Sequence, residues 1–439
     1  ILYLPRGFRL AGWGAAVPSM VVSTASFLYS ANRLLECWRE ESRKDHLRGS
    51  RMEEVRKLLE GRPGIDGASK AEEGYGAIAG GTEPAVEADD GFSPRLLSYP
   101  ELARRAFSGV GSSFVTLGIA LMQFGVCLTY LIFVPQNLTE STKVLFGVYV
   151  SETYFLMAMV LIEIPLSWIR DIRKLTPLNV LATFLIAYGL VSCLAIAFGT
   201  ARESALEGGP GIAGKIAALD AFNDTWYLFI GTSFFVFEGS ITLLVPLQEA
   251  VYTREDRAKF PLVNQRVTTY IVVFYIFFAI TCWAAFGDTV RTALTASLPP
   301  GSFATSVQFA YSIAVIFTFP LQAFPALEVA CHTTGQKAGG NEGLTAVVRN
   351  RDVIASVAVC LLGVVAYFAI DYLGNVVSLL GSLVGIPIAL VFPPLMHNEL
   401  VRDSGRGRRL INYAVAGLGV LAMGAASFTT IVSWDKGAE

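Results

Sequence analysis

One apolar stretch, residues 226–252, constrains the fold of this chain more than any other feature. As a single α-helix it would measure about 40 Å, whereas the hydrocarbon core of a bilayer is about 30 Å thick. Its centre reads Phe237-Glu238-Gly239-Ser240. Glycine tolerates non-helical dihedral angles, and a carboxylate at this depth is costly unless it faces a cavity, a partner or an ion. The stretch therefore predicts a membrane helix that is broken near Glu238.

The predicted break has two physical interpretations. Backbone groups freed at membrane depth must be buried in protein or face a wet cavity, and the half-helices of secondary transporters bind substrate in this way. Alternatively, Glu238 locks two helices together beside an ordinary kink made by Gly239 and Pro246. The residues alone leave both interpretations open.

The composition is that of an integral membrane protein. Hydrophobic residues make up 53% of the chain and charged residues 16%, against about 25% charge in soluble domains. Apolar spans recur at about 1–10, 15–35, 112–135, 148–169, 177–199, 226–252, 267–287, 303–327, 353–371, 374–397 and 411–434. We therefore expect an all-α polytopic membrane protein with about 11 transmembrane helices.

The distribution of Lys and Arg predicts the orientation of these spans. If the first helix leaves the cytosol, most basic residues fall in the loops 37–108, 170–176, 253–266, 328–352 and 398–410. The opposite loops and the C-terminal tail hold only Lys143, Arg202, Lys215, Arg291 and Lys436. Cytosolic loops carry the excess of positive charge, so the first set is predicted to be cytosolic.

Two N-glycosylation sequons agree with this orientation. They begin at Asn137 and Asn223, and both fall on the predicted non-cytosolic side. We therefore expect a glycoprotein with glycans at these two asparagines.

The chain divides into five predicted regions. The first region holds the end of a truncated first helix and all of the second helix. The second region is a cytosolic loop with short helices. We expect most of this loop to be disordered, because its Gly/Glu/Ala-rich tract cannot bury a core. The others hold helices 3–5, helices 6–10 and helix 11. The five regions are 1–36, 37–108, 109–199, 226–398 and 411–434.

Few polar side chains lie inside the predicted spans. Gln123, Cys127 and Tyr130 share one face of the third helix, either as a cavity wall or as an interhelical hydrogen-bond seam. Glu163 is predicted to form a structural ion pair toward the cytosolic interface. Thr318 precedes two prolines, which favour a local distortion of its helix.

Other functional classes lack their signatures. The three histidines form no catalytic arrangement, and the six cysteines show no metal-ligand spacing, so we expect no enzyme, no cofactor and no metal site. A basic patch for nucleic acid and a repeated channel filter are likewise absent from the sequence.

Four motifs resemble the amino acid/auxin permease family of transmembrane amino acid transporters. FFVFEGSITLLVPLQEAVYTREDRAKFP is similar to its sixth-helix signature, and ILYLPRGFRLAGW is similar to its first-helix signature. CWAAFGDTV resembles the segment after the seventh helix, and VVSLLGSLVGIPIALVFPPLMH resembles the tenth helix. Within the family, the chain most resembles the proton-coupled and vacuolar branch.

The resemblance implies a five-plus-five inverted repeat with broken helices 1 and 6. It also implies alternating access for small neutral amino acids. Glu238 would then take part in both binding and coupling. The candidate substrate-binding residues are Leu2, Tyr3, Leu4, Pro5, Gln123, Cys127, Tyr130, Phe235, Phe237, Glu238, Gly239 and Thr318.

The expected activity is proton-coupled symport of small neutral amino acids. Two alternatives remain: sodium-coupled transport, and a non-transporting amino acid sensor or scaffold that signals through the 37–108 loop. The expected partners are an amino acid, a proton or sodium ion and the lipid bilayer, and not nucleic acid. The expected location is the plasma membrane or a vacuolar or endolysosomal membrane.

Overall fold

The computed structural model describes residues 1–60, 97–107, 109–169, 172–251, 253–337 and 351–434. In these residues the regular secondary structure is helical throughout, which confirms the all-α fold. The α-helices, in chain order from α1 to α15, are Leu4–Ala11, Trp13–Glu60, Tyr99–Ala106, Gly109–Phe146, Glu152–Ser167, Ile172–Leu206, Ile212–Ala217, Leu228–Phe235, Glu238–Ala250, Arg254–Phe286, Ser302–Lys337, Arg351–Ala369, Leu373–Leu380, Phe392–Leu400 and Arg406–Val432.

Seven stretches of the described residues are long and apolar enough to cross a membrane. They are Gly109–Phe146, Leu175–Leu206, Leu228–Ala250, Glu255–Thr289, Ser302–Cys331, Arg351–Leu400 and Arg406–Val432. The sixth of them covers two predicted spans, those at 353–371 and 374–397. The predicted spans at 1–10, 15–35 and 148–169 are not among the seven, and α1 and α5 have only 8 and 16 residues.

The helix α2 is longer than the sequence pattern predicted. It does not end near residue 35 but continues to Glu60, a total of 48 residues, or about 70 Å. Its second half is rich in charged helix formers, which pair one turn apart: Glu36 with Arg33 at 2.6 Å and Glu40 with Arg43 at 2.9 Å. The first part of the predicted 37–108 loop, up to Glu60, is therefore the end of α2.

The short helix α3 docks the end of the 37–108 region onto the helical core. Tyr99 is fully buried and donates a hydrogen bond to the carbonyl oxygen of Ile388 (2.8 Å). Just before it, the backbone N–H of Leu97 donates to the Glu249 carboxylate (2.6 Å), which also accepts from Trp38 Nε1 (2.9 Å). These contacts join α3 to the tenth pass at Ile388 and join both α2 and the residue Leu97 to the last turn of α9.

Two hydrophobic clusters form the interior. In the first, α11 packs between α4 and α6, and α5 and α12 cover α4 from outside. In the second, α1 packs against α2, α8 and α10. The segments α1, α8 and α13 meet between the clusters, and this position holds the candidate site.

Candidate functional site

The membrane pass at 226–252 is interrupted beside the predicted position. α8 ends at Phe235 and α9 begins at Glu238, with Val236 and Phe237 in a turn between them. The backbone N–H of Phe237 donates to Phe234 O (3.1 Å), and that of Ser240 donates to Phe237 O (3.2 Å). These are i to i−3 bonds, which satisfy backbone groups that a longer unwound segment would leave free. The interruption is therefore a single tight turn.

Two of the predicted site residues follow this turn. Glu238 is the first residue of α9, and its side chain lies outside the described part of the chain. At Gly239, an added Cβ would meet no described atom within 4 Å beyond its own helix. The start of α9 therefore has open space on its Gly239 face.

The start of α1 lies beside this break. Tyr3 and Phe235 make an edge-to-face ring contact with centroids 6.1 Å apart, and Phe8 makes another with Phe229 at 5.3 Å. Gly7 allows the close approach, because a Cβ there would overlap the Phe229 ring. The structure thus brings the first-helix and sixth-helix motifs together. The remaining first-helix candidates, Leu2, Leu4 and Pro5, are buried in the same region.

The other half-helix, α8, crosses α13 with its backbone in contact. A Cβ added at Gly231 would overlap the carbonyl oxygen of Ser378, and one added at Gly381 would overlap that of Gly231. The Ser378 hydroxyl donates to Leu228 O (3.0 Å) and pairs with the Thr430 hydroxyl (3.0 Å). Since Gly381 begins a π-helical segment, Gly381–Gly385, this crossing coincides with an irregular part of the tenth pass.

A small cavity of about 30 Å³ lies between α1, α8 and α13. That volume suits water molecules and is too small for an amino acid. Among the predicted site residues whose side chains the structure describes, Tyr3 is the one that lines it. The other lining residues, which were not among the predicted site residues, include Arg6, Thr232, Thr292, Asn375 and Ser378. Arg6 is 7% exposed, and a charge within the apolar opening segment was the signal that could have identified it.

Four predicted site residues on α4 and α11 are not among the residues that line this cavity. The Gln123 side chain accepts a hydrogen bond from Gln322, which links α4 to α11 and favours the seam interpretation. Cys127 is fully buried and Tyr130 is half-buried against the first cluster. Thr318 donates to Ala314 O on its own helix (3.0 Å).

Phe237 packs toward α2 and not into the cavity. Its ring stacks on Phe27 with centroids 4.7 Å apart and an angle of 14° between the planes. The turn between the half-helices is therefore anchored to α2 by an aromatic pair.

The structure does not support a glycan at Asn137. This residue is fully buried inside α4, and its amide nitrogen, the atom to which a glycan would be attached, donates to Phe133 O (2.9 Å). Asn223 is half-buried at the surface, and its amide nitrogen donates to Arg9 O (2.5 Å). Thr225 of the same sequon donates to Leu10 O (2.7 Å), so this sequon satisfies the last carbonyl groups of α1.

Comparison with known proteins identifies the family. Residues 87–432 match the family described as transmembrane amino acid transporter protein. Vacuolar amino acid transporter 4 of Saccharomyces cerevisiae is 32% identical over 344 residues, covering 72% of this chain and 47% of that relative. Vacuolar amino acid transporter 3 of the same organism is 29% identical over 345 residues, 77% of this chain and 48% of the relative.

The similarity also extends to a plant protein. Amino acid transporter ANT1 of Arabidopsis thaliana is 23% identical over 412 residues, 92% of this chain and 82% of the relative. The chain spans about half the length of the yeast relatives it matches. Because the family match covers most of the sequence and the described helices include several able to span a bilayer, this multi-pass membrane protein belongs to the transmembrane amino acid transporter family.

Proposed function

We propose that this protein is a secondary active transporter that moves small neutral amino acids by alternating access, driven by protons. Its family and the names of its relatives support amino acids as the substrate. The single observation that carries the proposal is the break at Val236–Phe237, which lies in a membrane pass and beside the start of α1.

The geometry of the break suits a zwitterion. α9 begins at Glu238, so its helix N-terminus is directed toward the predicted membrane centre. Helix N-termini attract negative charge, and half-helices in transporters hold a substrate carboxylate in this way. Arg6 on α1 adds a buried guanidinium that the carboxylate of an amino acid would meet when the cavity widens.

Coupling to protons is assigned to Glu238 because of its sequence position. An acid at the break would be neutral when protonated and charged when not, so its charge would favour different conformations at high and low pH. The amino acid ammonium would interact with the ionised form. Sodium coupling is the alternative within the same class.

The test is uptake of labelled neutral amino acids into proteoliposomes that contain the purified protein. We expect an acidic exterior to raise the initial uptake rate at least about tenfold, and Glu238→Gln to remove that stimulation. Glu255→Gln is the matched control, since Glu255 is exposed and pairs with Lys259 at the surface. If uptake does not depend on the pH gradient but changes when sodium is replaced, the coupling ion is sodium and not the proton.

The same assay separates transport from sensing. A sensor or scaffold would bind a labelled amino acid saturably without accumulation inside the vesicles. We assign the protein to a vacuolar or endolysosomal membrane because of the names of its yeast relatives, with the plasma membrane as the alternative. Fractionation of cells that express a tagged chain distinguishes the two locations.

A further inference from the structure

The buried face of α5 carries two polar residues whose oxygens have no partner. Leu156, Met159, Glu163 and Ser167 follow one another at helical spacing and are buried on this face. Both carboxylate oxygens of Glu163 and the hydroxyl oxygen of Ser167 lack hydrogen bonds to any described residue. The two side chains are one turn apart, a rise of about 6 Å along the helix.

The ion pair predicted for Glu163 is absent from the described residues, because the face around it is apolar. Its neighbour Val160 packs so closely against α12 that a Cβ at Gly363 would overlap it. Ala355 and Val359 are the buried α12 residues of the same cluster. An ionised carboxylate without hydrogen bonds or a counter-charge is costly in such surroundings, so they favour the protonated form of Glu163.

Among the described side chains, a cation lies one turn away from Glu163, at the predicted cytosolic end of α5. Arg351, at the start of α12, donates from Nη1 to the backbone oxygen of Ser167 (3.1 Å). Its Nε lies 3.4 Å from Glu328 near the end of α11. Asp352 follows Arg351 on α12. On α4, which also packs on α5, the charged residues are Glu140 and Lys143, and both lie near the opposite end of α5.

We propose that Glu163 is a proton-binding site inside the membrane and that Arg351 stabilises its carboxylate after the proton has left. In this step the O–H bond of the neutral carboxyl group breaks and the proton passes to water on the cytosolic side. A small shift between α5 and α12 is sufficient, because Arg351 already contacts the turn next to Glu163. The contribution of this proton to transport rests on the proposed function, whereas its binding does not.

Infrared difference spectroscopy of the purified protein in lipid nanodiscs tests the binding directly. We expect the carbonyl stretching band of a protonated carboxyl group at neutral pH, with a shift in heavy water. Glu163→Gln should lose this band, and the control Glu255→Gln should keep it. A Glu163→Gln spectrum identical to that of the wild type would overturn the proposal.

Two further variants keep the test decisive. If Glu163→Gln does not fold, Glu163→Asp should move the band and not remove it, and an unmoved band would reject the assignment. Arg351→Gln should preserve the protonated band at higher pH than in the wild type, because the carboxylate loses its stabilising cation. If the band titrates at the same pH in both proteins, the role of Arg351 is rejected.

Transport provides a readout that separates this proposal from the proposed function. In proteoliposomes, Glu163→Gln should shift the pH at half-maximal uptake by about one unit or more. If the wild type shows the Glu163 band but no gradient-driven uptake, the transport proposal fails and the proton site stands. If uptake is gradient-driven and Glu163→Gln changes neither the spectrum nor the pH profile, the proton site fails alone.

Discussion

The two halves of the broken pass, α8 and α9, are held in different ways. α8 meets α13 backbone to backbone, and its Gly231 has no room for a methyl group. α9 has open space beside its Gly239. The far end of α9 is held through Glu249, whose carboxylate accepts hydrogen bonds from Leu97 and Trp38.

This difference indicates which half can move. Separating α8 from α13 would break close-packed backbone contacts, and such interfaces do not deform gradually. Releasing the end of α9 exposes the buried Leu244 and Val245 and breaks two hydrogen bonds to the 37–108 region, whose groups would then bond to water. We infer that opening toward the predicted cytosolic side takes place at α9 while α8 and α13 remain together.

The largest expected effect is that of Gly231→Ala. The added methyl group overlaps the carbonyl oxygen of Ser378, so α8 must shift away from α13 at a cost of about 3 kcal/mol. We expect a clear fall in the melting temperature of the purified protein and loss of uptake. An unchanged melting temperature would show that the two backbones are not in contact.

An intermediate effect is expected for Glu249→Ala. The substitution removes the acceptor for Leu97 N–H and Trp38 Nε1, a loss of about 2 kcal/mol for hydrogen bonds to a charged group. The end of α9 should open more often. A cysteine introduced in place of Gly239 should then be labelled faster by a water-soluble thiol reagent. Trp38→Phe, which removes one of the two donors, should give a smaller increase in the same direction. Equal labelling in all three proteins would mean that this contact does not control access.

The smallest effect is expected for Gly239→Ala. There is space for the methyl group, and alanine favours a helix over glycine by at most about 1 kcal/mol, so the melting temperature should stay the same or rise slightly. This variant is the matched control for Gly231→Ala. A loss of stability as large as that of Gly231→Ala would remove the distinction between the two halves.

The sequence predicted the helical class, the break beside Glu238 and the family, because each depends on local patterns. The length of each hydrophobic stretch predicts a membrane pass. The short motif Phe237-Glu238-Gly239 leaves few structural alternatives to a break in its helix. The sequence did not predict that Arg6 lines the cavity, because the cavity forms only where α8 and α13 pack beside α1. The unpartnered state of Glu163 was also missed, because the sequence shows a cation nearby but not the face on which it lies.

Asn137 is a further residue whose burial the local sequence pattern did not predict. Its sequon is a correct local match, yet the helix α4 continues through it and buries the asparagine. The length of α2 has a related cause. Its charged residues suggested a loop, but they form ion pairs one turn apart along the helix and so extend it. Burial decided the environment of Asn137, and ion pairs within the helix decided the length of α2. In neither region did the local sequence pattern predict the result.

The most direct test of proton-coupled transport is to follow protons while an amino acid enters. Proteoliposomes loaded with a pH-sensitive dye would receive a neutral amino acid on the outside with no imposed gradient. We predict acidification of the interior together with amino acid uptake in the wild type, and no proton entry in Glu238→Gln. Amino acid entry in the wild type without any change in interior pH would contradict proton coupling.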